Sequence, residues 1–197
     1  MSNRIWFITG ASRGFGRSFT EAALQAGDKV AATARDTSSL GDLAAQHGDE
    51  VLNIALDVTD RDAAFAAVKQ AHEHFGALDV VVNNAGYGVS GTIEEISEEQ
   101  ARQQIEVNLF GALWVTQAAL PLLREQGSGW IVQVSSIGGL AAFPLTGIYH
   151  ASKMGARRVL RGAPPGGRAV RDQRADGRAE RVPHRLGRQL HDPRRAD

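Results

Sequence analysis

Thr9-Gly10-Ala11-Ser12-Arg13-Gly14-Phe15-Gly16 is the segment that most restricts what this chain can fold into. A short apolar run precedes it at residues 4–9 (RIWFIT), and a helical pattern follows at 15–26, stopped by Gly27. Glycines at a strand-to-helix turn permit positive φ and let the backbone come close to an anion at a helix N-terminus. The spacing is GxxxGxG, which differs from the GxGxxG fingerprint. It also lacks the Gly-Lys-Ser/Thr that a phosphate-gripping P-loop needs. Taken alone, the turn leaves a bland tight turn as the lesser alternative.

The rest of the chain argues against that. Further strand patterns lie at 29–34, 51–56, 79–82 and 130–134. An Ala-rich helix covers 60–75 and is closed by Gly76. Ser97, with Glu99 and Gln100 behind it, starts a long helix that runs past Trp114, with Pro121 expected to kink it near its end. Strands that alternate with helices and are apolar throughout predict a parallel sheet covered on both faces. The fold class is therefore α/β, a doubly wound, Rossmann-like parallel sheet. In such sheets ligands bind beyond the carboxyl ends of the strands. Each unusual cluster sits there: Gly10, Gly14 and Gly16 after the first strand, Arg35 after the second, Asp57 after the third. Asn83, Asn84, Ala85 and Gly86 follow the fourth, and Ser135 and Ser136 the fifth.

Composition sets outer limits. A chain of 197 residues holds one domain. It has no cysteine, so disulfides and thiolate metal sites are excluded. No basic stretch followed by a long apolar run opens the sequence, and no continuous apolar segment matches a bilayer. These features fit a cytoplasmic protein with no membrane and no metal partner. The net charge of zero conceals a break. Residues 1–153 carry 10 Lys and Arg against 17 Asp and Glu, whereas 154–197 carry 12 Arg, no Lys and 5 acids.

Taken together, TGASRGFG, LDVTD, NNAG, Asn108, Ser136 and Tyr149-His150-Ala151-Ser152-Lys153 occur in an order that resembles the short-chain dehydrogenase/reductase family. The resemblance runs from Ile5 to Lys153. It implies an NAD(P)-dependent oxidoreductase that interconverts an alcohol and a carbonyl compound. The chemistry suits the residue types. A free tyrosine has a pKa of about 10, too high for an efficient acid or base near neutrality. Residues i and i+4 share a helix face, so Lys153 can lie beside Tyr149, and an ammonium there favours phenolate. The resemblance implies that Tyr149 is the general acid/base and that Lys153 also bonds the nicotinamide ribose. Ser136, picked over Ser135 by its spacing to Tyr149, would hydrogen-bond the substrate oxygen. Asn108 would hold a proton-relay water. Gly10, Ser12, Arg13, Gly14, Phe15 and Gly16 form the expected phosphate turn. Asp57 and Val58 would meet the adenine, and Asn84, Ala85 and Gly86 would line the cofactor. Asn83 would only brace the turn.

The cofactor's 2′ position can be argued separately. An NAD-selective site puts an acid at the end of the second strand. Here that end reads Thr33-Ala34-Arg35-Asp36, and Arg13 sits inside the glycine turn. Two guanidinium groups suit a 2′-phosphate, so NADP(H) is favoured. Asp36 leaves NAD(H) open, since it could pair with Arg35 or touch a hydroxyl.

Past Lys153 the composition lacks aromatic residues, isoleucine and any strand-length apolar run, a composition suited to disorder. Residues 1–153 thus read as a dinucleotide-binding and catalytic domain incomplete at its C-terminal edge, and 154–197 as a tail outside the family pattern. A basic arm for nucleic acid is one reading of the tail. A frameshift is the favoured one. The ten residues 154–163 can be encoded so that removing one nucleotide gives Trp-Ala-Leu-Glu-Gly-Phe-Ser-Glu-Ala-Leu, which resembles the family's continuation. The tail leaves the activity of the chain open. Expected partners are a small-molecule carbonyl or alcohol substrate and, for the intact family fold, further copies of the chain in a homo-oligomer. No nucleic acid is expected. A non-catalytic dinucleotide-binding protein is the main alternative.

Overall fold

The computed structural model describes residues 3–161. Five strands form one sheet: β1 (Ile5–Ile8), β2 (Lys29–Ala34), β3 (Val51–Ala55), β4 (Val80–Asn83) and β5 (Trp130–Gln133). All pairings are parallel and the spatial order is β3-β2-β1-β4-β5. The strand order reverses between β1 and β4, and this switch point opens a crevice at the carboxyl ends.

Alternation along each strand builds two cores. Phe7, Ala31, Val81 and Ile131 face one side, where α3 (Arg61–Phe75) and α5 (Ala112–Gln126) pack through Ala64, Val68, Val115 and Leu123. Ile8, Val30, Ala32 and Val82 face the other, against α1 (Gly14–Gln25) and α2 (Gly41–His47) through Leu24 and Leu43. Both faces are therefore buried, which is why the strands read as apolar runs and not as alternating ones.

Helix boundaries follow their capping residues. Asp60 accepts from the Ala63 amide at 2.9 Å at the start of α3, and Gly76 ends it at φ 82°. Ser97 and Gln100 form a reciprocal capping box at the start of α4 (Glu98–Ile105). The long helix expected from Ser97 contains a π turn, Glu106–Gly111, between α4 and α5. Pro121 lies inside α5, near its end at Gln126. The combined helix Glu98–Gln126 is long and apolar enough, by length and composition only, to match a membrane span. Its apolar side chains Val115, Ala119 and Leu123 belong to the core over the sheet, which accounts for the hydropathy.

The last described helix, α6 (Gly147–Arg161), carries Tyr149 and Lys153 and continues past Lys153. Ala156 and Leu160, one helical turn apart, are both buried. The charge break at Lys153 is thus crossed by a helix with an apolar face. Residues 162–197, most of the expected tail, lie outside the described residues.

Candidate active site

Thr9 ties the switch point together. Its hydroxyl accepts from the amides of Asn84 (2.9 Å) and Ala85 (3.0 Å) and donates to the Val82 carbonyl. The Asn84 side chain donates to the carbonyls of Thr9 (2.9 Å) and Gly10 (3.1 Å), so Asn84 braces the glycine turn. The expectation for Asn83 is corrected here. It is buried and donates to Thr116 Oγ1 in α5 at 2.9 Å, because it is still in the strand and faces the helix layer. Gly16 cannot be replaced without movement. A Cβ there would sit 2.2 Å from the Gly10 carbonyl oxygen and 2.5 Å from Asn84 Nδ2.

Beyond this turn lies a cleft of about 1540 Å³. That exceeds the ~300–1,000 Å³ typical of a small-ligand pocket and leaves room for an extended ligand. Gly10, Ser12, Arg13, Gly14, Phe15, Arg35, Asp57, Val58, Asn84, Ala85, Gly86, Tyr149 and Lys153 all line it. Gly16 and Asn108 are buried behind it. Of the serine pair, Ser135 lines the cleft, whereas Ser136 caps the short turn after β5 by accepting from the Gly138 amide at 3.2 Å.

Several features suit a dinucleotide. The N-terminus of α1 has no side-chain cap and no acid in its first turn, leaving its amides and positive dipole end available for a pyrophosphate. Gly10 (φ 66°) and Gly86 keep side chains out of the cleft. Ser135 Oγ is buried with no hydrogen-bond partner. Arg13 and Arg35 form no ion pair among the described residues, whereas Arg17, outside the cleft, is held by Glu21 and Asp42. Asp36 caps the following 3₁₀ turn, its Oδ1 accepting from the Ser38 amide at 2.9 Å. Asp57 Oδ1 accepts from the amide and hydroxyl of Thr59.

At the other end, Tyr149 stands between two glycines. A Cβ on Gly88 would lie 3.3 Å from its Cδ2, and one on Gly138 would lie 3.2 Å from its Cε1. Lys153 Nζ is 6.0 Å from the Tyr149 ring centroid and donates to the Val134 carbonyl at 3.2 Å. Burial lowers the Lys153 pKa from its ordinary value, since the ammonium loses water without gaining a carboxylate. Asn108 sits in the π turn, 1% exposed. Its amide nitrogen donates to the Tyr87 carbonyl (2.8 Å) and to Ser152 Oγ (2.9 Å), and its Oδ1 accepts from the Tyr87 amide (3.0 Å). Sequence reasoning missed Thr9, Ser152 and Gln104 as supports. Gln104 Oε1 holds the Val89 amide, and only its place one turn before Asn108 could have hinted at it.

A glycine-cradled cleft at the switch point of a parallel sheet, with a tyrosine and a buried lysine at one end, is the arrangement of a nucleotide-binding α/β protein. The family model for short chain dehydrogenase matches residues 4–163, and the chain belongs to that family of oxidoreductases. Oxidoreductase BOA17 of Botryotinia fuckeliana is 48% identical over 151 residues, 76% of this chain and 55% of that protein. The chain thus spans about half the length of that curated relative. A short-chain dehydrogenase from Streptomyces avermitilis superposes with a TM-score of 0.82 at 40% identity, covering 86% of this chain and 64% of the other. An alcohol dehydrogenase from Thermococcus sibiricus, complexed with 5-hydroxy-NADP, gives 0.76 at 35% identity (81% and 69% covered). The 3-ketoacyl-(acyl-carrier-protein) reductase of Brucella melitensis, complexed with NADH, gives 0.75 at 30% (79% and 66%). Structural neighbours therefore hold either nicotinamide dinucleotide.

Proposed function

We propose that the protein interconverts an alcohol and a carbonyl compound using NADP(H), with a small-molecule substrate held beside Tyr149. The observation that carries this reading is that Tyr149 and Lys153 line the same cleft as the glycine turn. A bound nicotinamide cofactor would supply or accept the hydride. Tyr149 gives the proton to the carbonyl oxygen in reduction and takes it back in oxidation. Lys153, one turn along α6, favours the phenolate electrostatically. Ser136 does not line the cleft, but its Oγ accepts from the amide of Gly138, which lies against the Tyr149 ring, and from there its hydroxyl would donate to the substrate oxygen. Asn108 acts chiefly by position. Its side chain is engaged by Tyr87 and Ser152, and the relay water is assigned to it by family resemblance.

Arg13 and Arg35 support NADP(H) over NAD(H). Both line the cleft without an ion pair among the described residues, and the carboxylate of Asp36 is taken up by the Ser38 turn. The proposal includes a cytoplasmic protein, supported by the cysteine-free composition. It also includes a homo-oligomer built on α5 and α6, by family resemblance.

Tyr149→Phe tests the reading. Carbonyl reduction should fall by about 10²- to 10⁴-fold while NADPH still binds. Near-normal turnover in the variant would remove Tyr149 from the acid–base role. NADPH binding without turnover by the unaltered chain, over a broad carbonyl panel, would favour the non-catalytic dinucleotide-binding alternative.

A further inference from the structure

His150 is only 4% exposed, although it follows Tyr149 directly on α6. Its ring touches both ends of the loop that joins β5 to α6. At the near end, a Cβ on Gly138 would lie 2.3 Å from His150 Cδ2, so the ring is seated where only glycine fits. The amide of that same Gly138 donates to Ser136 Oγ. At the far end, the Phe143 amide donates to His150 Nδ1 at 3.1 Å, and the Phe143 ring meets the imidazole edge-on at 5.5 Å. Accepting at Nδ1 puts the ring proton on Nε2, which lies 3.1 Å from Thr146 Oγ1.

The loop needs such a restraint. Leu145 holds a left-handed φ of 66°, the one non-glycine residue to do so among those described. Side chains adopt that region at an energetic cost, so the conformation persists only where neighbours impose it. Leu140, Phe143 and Leu145 are also largely exposed, which leaves the loop little core of its own.

We infer that His150 is a positioning residue: it clasps the 136–146 loop, and with it the Ser136 hydroxyl, to the helix that carries Tyr149. The clasp stands on geometry alone, and its catalytic consequence rests on the function proposed above. The Phe143 amide needs an acceptor at the Nδ1 position. His150→Asn keeps an acceptor close to that point. His150→Phe keeps a ring and loses the acceptor.

The test is hydrogen exchange on the full chain, with β1 and β4 peptides as the control for folding. Exchange across 140–146 should accelerate about 10-fold in His150→Phe, the effect of one hydrogen bond, and stay near wild type in His150→Asn. Carbonyl turnover should fall by a similar factor in His150→Phe and recover in His150→Asn, with NADPH affinity unchanged in both. Equal exchange in wild type and His150→Phe overturns the clasp, as does failure of His150→Asn to restore protection. Nitrogen-15 shifts showing the wild-type proton on Nδ1 overturn it without any variant. Fast exchange with unchanged turnover overturns the link to Ser136. Wild-type chain that binds NADPH but never turns over counts against the proposed reaction, while the exchange result still decides the clasp.

Discussion

Asn108 and Ser152 meet side chain to side chain, with Nδ2 donating to Oγ at 2.9 Å, and this contact joins the π turn to α6, the helix that carries Tyr149 and Lys153. Ser152 is fully buried, and its hydroxyl donates a hydrogen bond to the Tyr149 carbonyl at 2.7 Å. The motif residues of two distant segments are thereby fixed to each other.

Ser152→Ala leaves an amide hydrogen of Asn108 without a partner in a site closed to water. The expected cost is about 1–3 kcal/mol of folding stability. Urea denaturation measures it directly. A change under about 0.5 kcal/mol would mean that the contact does not hold the two helices.

Lys153 carries a pH signature. Its folded pKa lies below the ordinary value, so the unfolded chain binds the proton more tightly. Stability contributed by this group therefore rises with pH between the folded pKa and about 10.4, where the unfolded lysine titrates. Lys153→Met, free of the buried charge, should gain on the wild type at neutral pH in thermal melts without cofactor. That gap should narrow as pH climbs through the window. A gap independent of pH would contradict the assigned cause.

Arg35 is expected to select the cofactor. Arg35→Ala should weaken NADPH binding by about 1.5–3 kcal/mol, the loss of one charge-assisted contact, and leave NADH binding nearly unchanged. Fluorescence titration with both cofactors reads the difference. Equal losses for the two would show that Arg35 does not meet a 2′-phosphate.

The coding DNA around Lys153 tests the tail. Removing one nucleotide near the Met154 codon should open a frame beginning Trp-Ala-Leu-Glu-Gly-Phe. Stop codons soon after the shift would end the frameshift reading. The tail would then need a functional account, starting with salt-dependent nucleic-acid binding.

The sequence alone determined the fold class and most of the residues that line the glycine-turn end of the cleft. That is because the glycine turn, the buried strands and the clusters after them are local signals, each readable within a few residues. Asp60, Ser97 and Gly76 mark helix ends by chemistry confined to one turn. The tyrosine and lysine were legible for the same reason, since a spacing of four defines a helix face. Tertiary structure decided what these residues are bound to. Asn84 and not Asn83 braces the turn, because the last strand residue must face the helix layer. Thr9, Gln104, Ser152 and His150 became visible as supports only once segments far apart in the chain met. Long-range partners of single polar side chains leave no period in a sequence, and burial, which makes those partners obligatory, is a property of the packed molecule.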